Sequence, residues 1–395
     1  MNIKFGLIGA SVRGLFLCWE AMKTPGVRLA AAADPSKISR ANVKKVFGKE
    51  VETYGDAGKM LKAHPEISAV FIASNDASHY ENIITALKFK KHIFAEKPLA
   101  QQIEHCDDIL NRWKKSKVVF SGGLEFRHIY LSRTIKKLLD KKIIGNLAHI
   151  TGVEYVPGGG MHNHPLYRRK ETGRSLLLQK GVHDIDLLNW FSGGRPEWVF
   201  GAGGLNFYGG KKKKGLDCFS CPERKKCRPN IRKTKYIYYL DLTIQQKHLC
   251  AYAEDVDMED NYQIVVGYDN NVRASFVISY NAPEYYHEFI LVGDKGKLKG
   301  SFDHYKNIFR ISYKLNESME KETVITPVAF QEGGHGGGDS KIVKNFLDCL
   351  SDGSQPDADI YAARDAAVVA AGAQDSLESG KVVKIPPAGS KKKKR

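Results

Sequence analysis

IKFGLIGASVRG, running from Ile3 to Gly14, decides how the chain begins to fold. An apolar run of strand length stops at the Gly9 corner, and the amphipathic helical period of Val12–Lys23 takes over. Glycine at such a corner lets the backbone turn sharply and approach a pyrophosphate, which the helix N-terminus stabilises. A dinucleotide fingerprint has glycine at all three key positions; here the middle one is Ser11, so the motif reads Gly9-x-Ser11-x-x-Gly14. Asp34, at the end of the next strand, strengthens the reading. A carboxylate there accepts both ribose hydroxyls of an adenosine and repels a 2′-phosphate, which favours NAD. Arg13, Lys37 and Arg40 nearby keep NADP open. The plainer alternative is a tight turn followed by an aspartate that caps the next helix.

Outward from this motif, strand candidates at Ile3–Ile8, Arg28–Ala33, Ala69–Ala73, His92–Ala95 and Val118–Ser121 alternate with helical stretches at Val12–Lys23, Lys37–Phe47, Ala77–Lys90 and Gln102–Lys115. Strands separated by helices imply a doubly wound parallel sheet, so residues 1–122 read as a Rossmann-type α/β domain. After a helix at Leu131–Lys141 the pattern changes. Strands dominate at Leu147–Val156, Trp198–Ala202, Tyr262–Tyr268, Val272–Tyr280, His287–Val292 and Lys297–Phe302, with a helix at Gly181–Phe191. Alternation in VRASFVISY (Val272 to Tyr280) fits an open, largely antiparallel sheet with one covered face. Helices at Asp339–Leu350 and Ala362–Leu377 and an edge strand at Lys381–Ile385 close this α+β domain, which spans 123–389. The tail, 390–395, is basic.

The formal charge of +17 is local. Lys211–Lys235, inside an excursion at 209–236, carries net +9, and Lys391–Arg395 adds +5. A nucleic-acid binder spreads its basic surface over a folded face, so nucleic acid is disfavoured as a partner and the runs read as solvated charge. No apolar run reaches the roughly 20 residues that a membrane helix needs. With no signal-peptide pattern and no even cysteine framework, the expectation is a soluble, cytoplasmic protein.

AEKP, Ala95 to Pro98, follows the His92–Ala95 strand at the carboxyl edge where ligands of such sheets bind. Lys97 there can reach a substrate hydroxyl and, if desolvated, act at a lowered pKa. The Gly-rich turn, Asp34, the EKP triplet at 96–98, LEFRH (Leu124 to His128), the histidine-bearing GVHDIDLLNW (Gly181 to Trp190) and the closing AARDAAVVAAGAQDSLESGKVVKIP together resemble the glucose–fructose oxidoreductase, inositol dehydrogenase and MocA family. The resemblance implies NAD(P)-dependent redox chemistry on sugars, cyclitols or related polyols. It also implies a homo-oligomer formed through the second sheet. Lys97 then matches the family's catalytic lysine and His183 its helix histidine. An aspartate commonly found four residues before that histidine is replaced by Gln179, which cannot take a proton. The cofactor-binding candidates are Gly9, Ser11, Val12, Arg13, Asp34, Ser74, Asn75, His79, Glu96 and Lys97.

PGGGMHNHPLYRRKETGRS, Pro157 to Ser175, is polar and glycine-rich for a connection of its length. Its His162, His164, Tyr167 and Arg168, together with Arg127, Lys180, Asp184 and His335 elsewhere, are the substrate-binding candidates. Cys218, Cys221 and Cys227 in the basic excursion, with Cys250 downstream, offer a thiol set for structural zinc; reduced thiols and disulfides stay open. The leading expectation is a sugar or polyol dehydrogenase. A redox-neutral glycosidase acting through transient 3-keto oxidation, and a sensor that binds the cofactor without turnover, are the alternatives.

Overall fold

The apolar runs of the first half become β1 (Ile3–Ile8), β2 (Val27–Ala33), β3 (Glu52–Tyr54), β4 (Ala69–Ile72), β5 (His92–Ala95) and β6 (Phe120–Gly122). The joining helices are α1 (Val12–Met22), α2 (Lys37–Phe47), α3 (Ala57–Ala63), α4 (His79–Lys88) and α5 (Ile103–Trp113). The structure, a computed structural model, describes residues 2–227, 248–306, 308–318, 321–325 and 334–388. The basic tail at 390–395 and residues 228–236 of the excursion lie outside them. Strand order is β3-β2-β1-β4-β5-β6, every pair parallel. Ile8 pairs with Ala33 and Ile72, Ile72 with Ala95, and Ala95 with Gly122. That register ends five strands on one line, so Gly9, Asp34, Ala73, Glu96 and Gly123 emerge along one carboxyl edge.

The second half begins with α6 (Tyr130–Asp140) and β7 (Leu147–Pro157), followed by α7 (Lys170–Gly173) and α8 (Val182–Ser192). Strands β8 (Pro196–Gly204), β9 (Asn261–Tyr268), β10 (Arg273–Ala282), β11 (Tyr286–Gly293), β12 (Gly296–Asp303), β13 (Ile308–Leu315) and β14 (Glu322–Ile325) come next. Helices α9 (Gly334–Asp352) and α10 (Ile360–Ser379) and the short β15 (Val383–Lys384) finish the fold. The sheet order is β14-β13-β12-β11-β7-β10-β9-β8-β15, with β7 and β10 parallel and the other pairs antiparallel. Alternate residues of β10 are buried, as its sequence alternation demands. Helices α6, α8 and α10 cover one face, and the other carries half-exposed side chains such as Val265 and Phe200. Helix α8 buries nearly its whole circumference, which places it centrally. Helix α10 packs on β6, α5 and β8, so it ties the two sheets together.

The expected two-sheet architecture is present, with differences in detail. The three-residue edge strand β3 is too short and polar to show a period. Strands β13 and β14 extend the second sheet beyond the expected set. The helix expected from Gly181 is preceded by a π-helical turn, Leu177–Gly181.

Candidate active site

The cofactor edge is built from backbone constraints first. Gly9 has φ +89°, and a Cβ there would lie 2.3 Å from Ser74 N, so the corner closes on the end of β4 only with glycine. A Cβ on Gly14 would lie 2.4 Å from Gly9 O, which keeps the helix start tight against the turn. Ser11 caps α1 by accepting from Gly14 N and donates its own hydroxyl to Ala73 O at 3.0 Å. Asp34 accepts from Ala10 N and Ser36 N, both at 2.8 Å, and so clips the turn to the end of β2. Ser36, not Asp34, caps α2, which removes the plainer reading of that aspartate. Val12 opens α1, and no acidic side chain occupies its first turn. At the next strand end, Ser74 Oγ accepts from Asn82, Asn75 caps a short 3-10 turn, and His79 bridges Ser74 O and Pro98 O. The exposed Ser11 and Asn75 and the half-buried Asp34 line an open rim. This donor set fits a dinucleotide with its adenosine ribose at Asp34 and its pyrophosphate at the turn.

Lys97 Nζ, at the end of β5, donates to the backbone carbonyl of Gln179 in the π-helical turn. Burial, assisted by the nearby Lys180 ammonium, holds the Lys97 pKa below its ordinary value despite Asp76, Glu96 and Glu125. The Gln179 side chain reaches the Tyr167 hydroxyl, which puts one residue of the polar loop beside the lysine. His183, 2% exposed, stacks on Phe126 at 4.8 Å. Burial, together with the positive charge of Lys97 and Lys180, holds it neutral, well below the usual histidine range. Its Nε2 lies 3.6 Å from Glu125 Oε1, and its buried Nδ1 has no hydrogen-bond partner.

Two ionic clusters flank this pair, one partly open at Arg13 and His335 and one buried. On the cofactor side, Arg13 contacts Glu96 at 2.6 Å, Asp339 at 2.7 Å and Glu125 at 3.9 Å. His335 adds contacts to Asp339 at 3.0 Å and Glu125 at 3.3 Å. Burial opposes ionisation of Asp339, but Arg13 and His335 outweigh it and hold the carboxyl well below the usual range. His335 stands in left-handed backbone, φ +49°, in the glycine-rich loop that opens α9. Beneath the second sheet, Lys180 Nζ lies 3.1 Å from Glu154, and His287 Nδ1 lies 2.8 Å from Asp184. Burial pushes Glu154 and Asp184 up to about 7, against the pull of Lys180. Among the described residues these clusters supply the two groups of three ligand-type atoms within 4.8 Å of one another. Each already surrounds an organic cation, Arg13 or Lys180.

The structure thus gathers Lys97, Tyr167, Lys180, His183 and His335 around Phe126 and Gln179. Other expected substrate contacts turn elsewhere. His162 points into the second core, with Nε2 against Met258 O and Glu259 O and its ring on Tyr208. Arg168 is buried on Cys250 O and Asp255, because an internal guanidinium requires a carboxylate and carbonyls. Arg127 makes paired 2.7 Å bonds to Asp186, and Asp184 is committed to His287. His164 stacks on Tyr167 and accepts from Leu166 N, one step behind the pocket wall. Glu125, Asp76, Glu154 and His287 were not anticipated, and Asp339, which closes GGHGGGD and reads in sequence as a cap of the following helix, pairs with Arg13 and His335. Glu125 had a sequence signal in LEFRH, but distant partners define Asp76, Glu154 and His287.

The chain matches a sequence model of an oxidoreductase family with an NAD-binding Rossmann fold over residues 3–124 and a GFO/IDH/MocA C-terminal domain over 132–299. It is 26% identical over 322 residues to YteT of Bacillus subtilis (strain 168), covering 73% of each chain. It is 25% identical over 205 residues to the myo-inositol 2-dehydrogenase of Thermotoga maritima, spanning 51% of this chain and 59% of that one. A levoglucosan dehydrogenase solved with NADH and levoglucosan superposes with a TM-score of 0.76 over 98% of this chain and 100% of the other, at 18% identity.

Proposed function

The chain belongs to the GFO/IDH/MocA family of oxidoreductases with an NAD-binding Rossmann fold, and from that premise we propose that it oxidises a secondary hydroxyl of a sugar, cyclitol or related polyol at Lys97. The observation that carries the reading is the half-buried Lys97, its pKa lowered, beside a neutral His183 whose Nδ1 is unpartnered. NAD, held by the Gly9–Gly14 turn and Asp34, supplies the hydride acceptor when bound. Asp34 is the reason for preferring NAD to NADP.

Oxidation of a secondary alcohol removes a hydride from carbon and a proton from oxygen. Lys97 Nζ, whose pKa burial lowers, accepts the hydroxyl proton in its deprotonated form, and Gln179 O holds that amine in place. His183, held neutral, offers its unpartnered Nδ1 to orient the hydroxyl. Behind it, Glu125 occupies the relay position that Gln179 cannot fill; burial raises its carboxyl above the usual range. The half-exposed face of the second sheet is the proposed homo-oligomer contact, and a reducing cytoplasm the proposed compartment.

A second reading rests on two other buried acids, Glu154 and Asp184, which burial pushes up to about 7. Carboxyls that titrate near neutrality can protonate a leaving group after transient oxidation, giving redox-neutral glycoside cleavage with no net NADH. A relative, the 2,7-anhydro-N-acetylneuraminate hydratase of Mediterraneibacter gnavus, is 25% identical over 51% of this chain and 53% of its own. The test is Lys97→Ala, assayed with NAD and a panel of monosaccharides, cyclitols and glycosides. Turnover is expected to fall by about 10²–10⁴-fold with NAD affinity nearly unchanged; wild-type turnover would sink the assignment. Product formed without accumulating NADH selects the redox-neutral reading. Zinc at the cysteines of the excursion would act on structure, outside this chemistry.

A further inference from the structure

The excursion leaves β8 and returns to β9 beside the polar loop 157–175, and its chemistry is unlike the active site's. Cys218, Cys221 and Cys250 are buried and Cys227 is half-buried, and none of the chain's cysteines is in a disulfide. All four line one cavity of about 20 Å³, the volume of a single small occupant, and Asn163, Lys212, Glu223, Arg224, Ala251 and Tyr252 complete its wall.

The backbone sets the four thiols there. Asp217 pairs with Leu249 as an antiparallel bridge, Cys218 N donates to His248 O at 2.7 Å, and Cys250 N donates to Leu216 O at 2.8 Å. These bonds hold Cys218 and Cys250 on adjacent strands. A 3-10 turn, Pro222–Lys225, then folds the chain back so that Cys227 returns toward Cys221. All four thiols face the same cavity, and Cys227 N donates to Glu223 O at 3.1 Å, which closes the turn that brings Cys227 back. Three or more of their sulfurs do not yet stand within 4.8 Å of one another. Zn–S bonds of about 2.3 Å therefore require the cavity to close.

We propose that Cys218, Cys221, Cys227 and Cys250 bind one zinc ion as a tetrathiolate, and that this site fixes the polar loop over the active site. Binding exchanges four thiol protons for one Zn²⁺ and leaves a centre of net charge −2 beside Arg224 and the Lys212–Glu223 pair of the cavity wall. The link to the loop is direct. Leu249 N donates to Asn163 O at 2.9 Å, Asn163 Nδ2 donates to Leu249 O at 2.6 Å, and Arg168 Nη2 donates to Cys250 O at 2.9 Å. Closing the metal site therefore anchors the loop that carries Tyr167 to Gln179.

The test is elemental analysis of untagged protein purified from zinc-replete cells. About one zinc per chain is expected, falling at least fivefold in Cys221→Ser and unchanged in Cys349→Ser, which lies outside the cluster. A chelator should strip the zinc and expose four additional reactive thiols, and cobalt added afterwards should give thiolate charge-transfer absorption; this arm uses wild-type protein in case Cys221→Ser fails to fold. Amides of residues 163–168 should then exchange hydrogen at least tenfold faster, recovering when zinc is restored. Wild-type protein with less than 0.1 zinc per chain, a disulfide among the four by mass spectrometry, or iron in place of zinc overturns the metal site. Unchanged exchange after stripping overturns the anchoring.

Discussion

The two ionic clusters beside Phe126 use similar groups to opposite effect. In the cofactor-side cluster, Arg13 meets three carboxylates, and Asp339 stays ionised far below neutral pH. In the cluster beneath the second sheet, Lys180 meets Glu154 and its neighbour Asp184, and both carboxyls sit at about 7. A guanidinium presents a planar fork of donors to several acceptors, whereas a lysine ammonium is a single point of charge. Two fully buried carboxyls around one ammonium cannot both ionise cheaply, so they titrate as a pair near neutrality. The first cluster is a fixed frame for the cofactor edge. The second is a pair of buried acids beside Lys180 that take up protons near neutrality.

Removing the cation from each cluster gives the largest contrast. Arg13→Met strands the ionised Asp339 and should lower unfolding free energy by about 3–5 kcal/mol in urea titrations at pH 7. Lys180→Met should lower it by only about 1–2 kcal/mol, because Glu154 and Asp184 take up protons instead. Equal losses would break the comparison.

A smaller contrast lies in pH dependence. A buried acid with a raised pKa contributes stability below its unfolded pKa and loses it as pH rises through the folded value. Asp184→Asn removes that loss, so its stability relative to wild type should improve by roughly 1–3 kcal/mol between about pH 5 and 8. Asp339, whose pKa is lowered, contributes stability above the ordinary carboxylate range. Asp339→Asn should therefore be destabilising by a constant amount over the same interval. Denaturation series at stepped pH separate the two, and parallel slopes would merge the clusters into one kind.

The smallest effect sharpens the picture from outside both carboxyl sets. Burial holds His128 and His162 down at about 4. Their unfolded rings protonate near 6.5, so the stability they carry is complete above that value and falls as pH drops toward 4. Each should contribute on the order of 1 kcal/mol of loss by about pH 5.5, read as a fall in Tm below pH 6.5. His162→Asn should flatten that fall, provided the asparagine keeps the bond to Met258 O.

Local sequence determined what local physics governs. The strand, glycine corner and helix at Ile3–Gly14 announce a dinucleotide edge because each step is set within a few residues. Asp34 was legible for the same reason: a fixed spacing from Gly14 delivers it to the carboxyl edge. Alternation in Val272–Tyr280 likewise announced a one-sided sheet. Tertiary structure decided the rest. A histidine or arginine in the loop after Pro157 looks the same in sequence whether it faces a ligand or a buried carbonyl. His162 and Arg168 turned inward because Met258, Glu259 and Asp255, about 90 residues away, offered the acceptors that burial demands. Glu125 became a partner of His183 and His335 only when α8 and the α9 loop closed over it from opposite directions. Burial sets which groups must be paired, and only the folded chain sets which distant partners meet them.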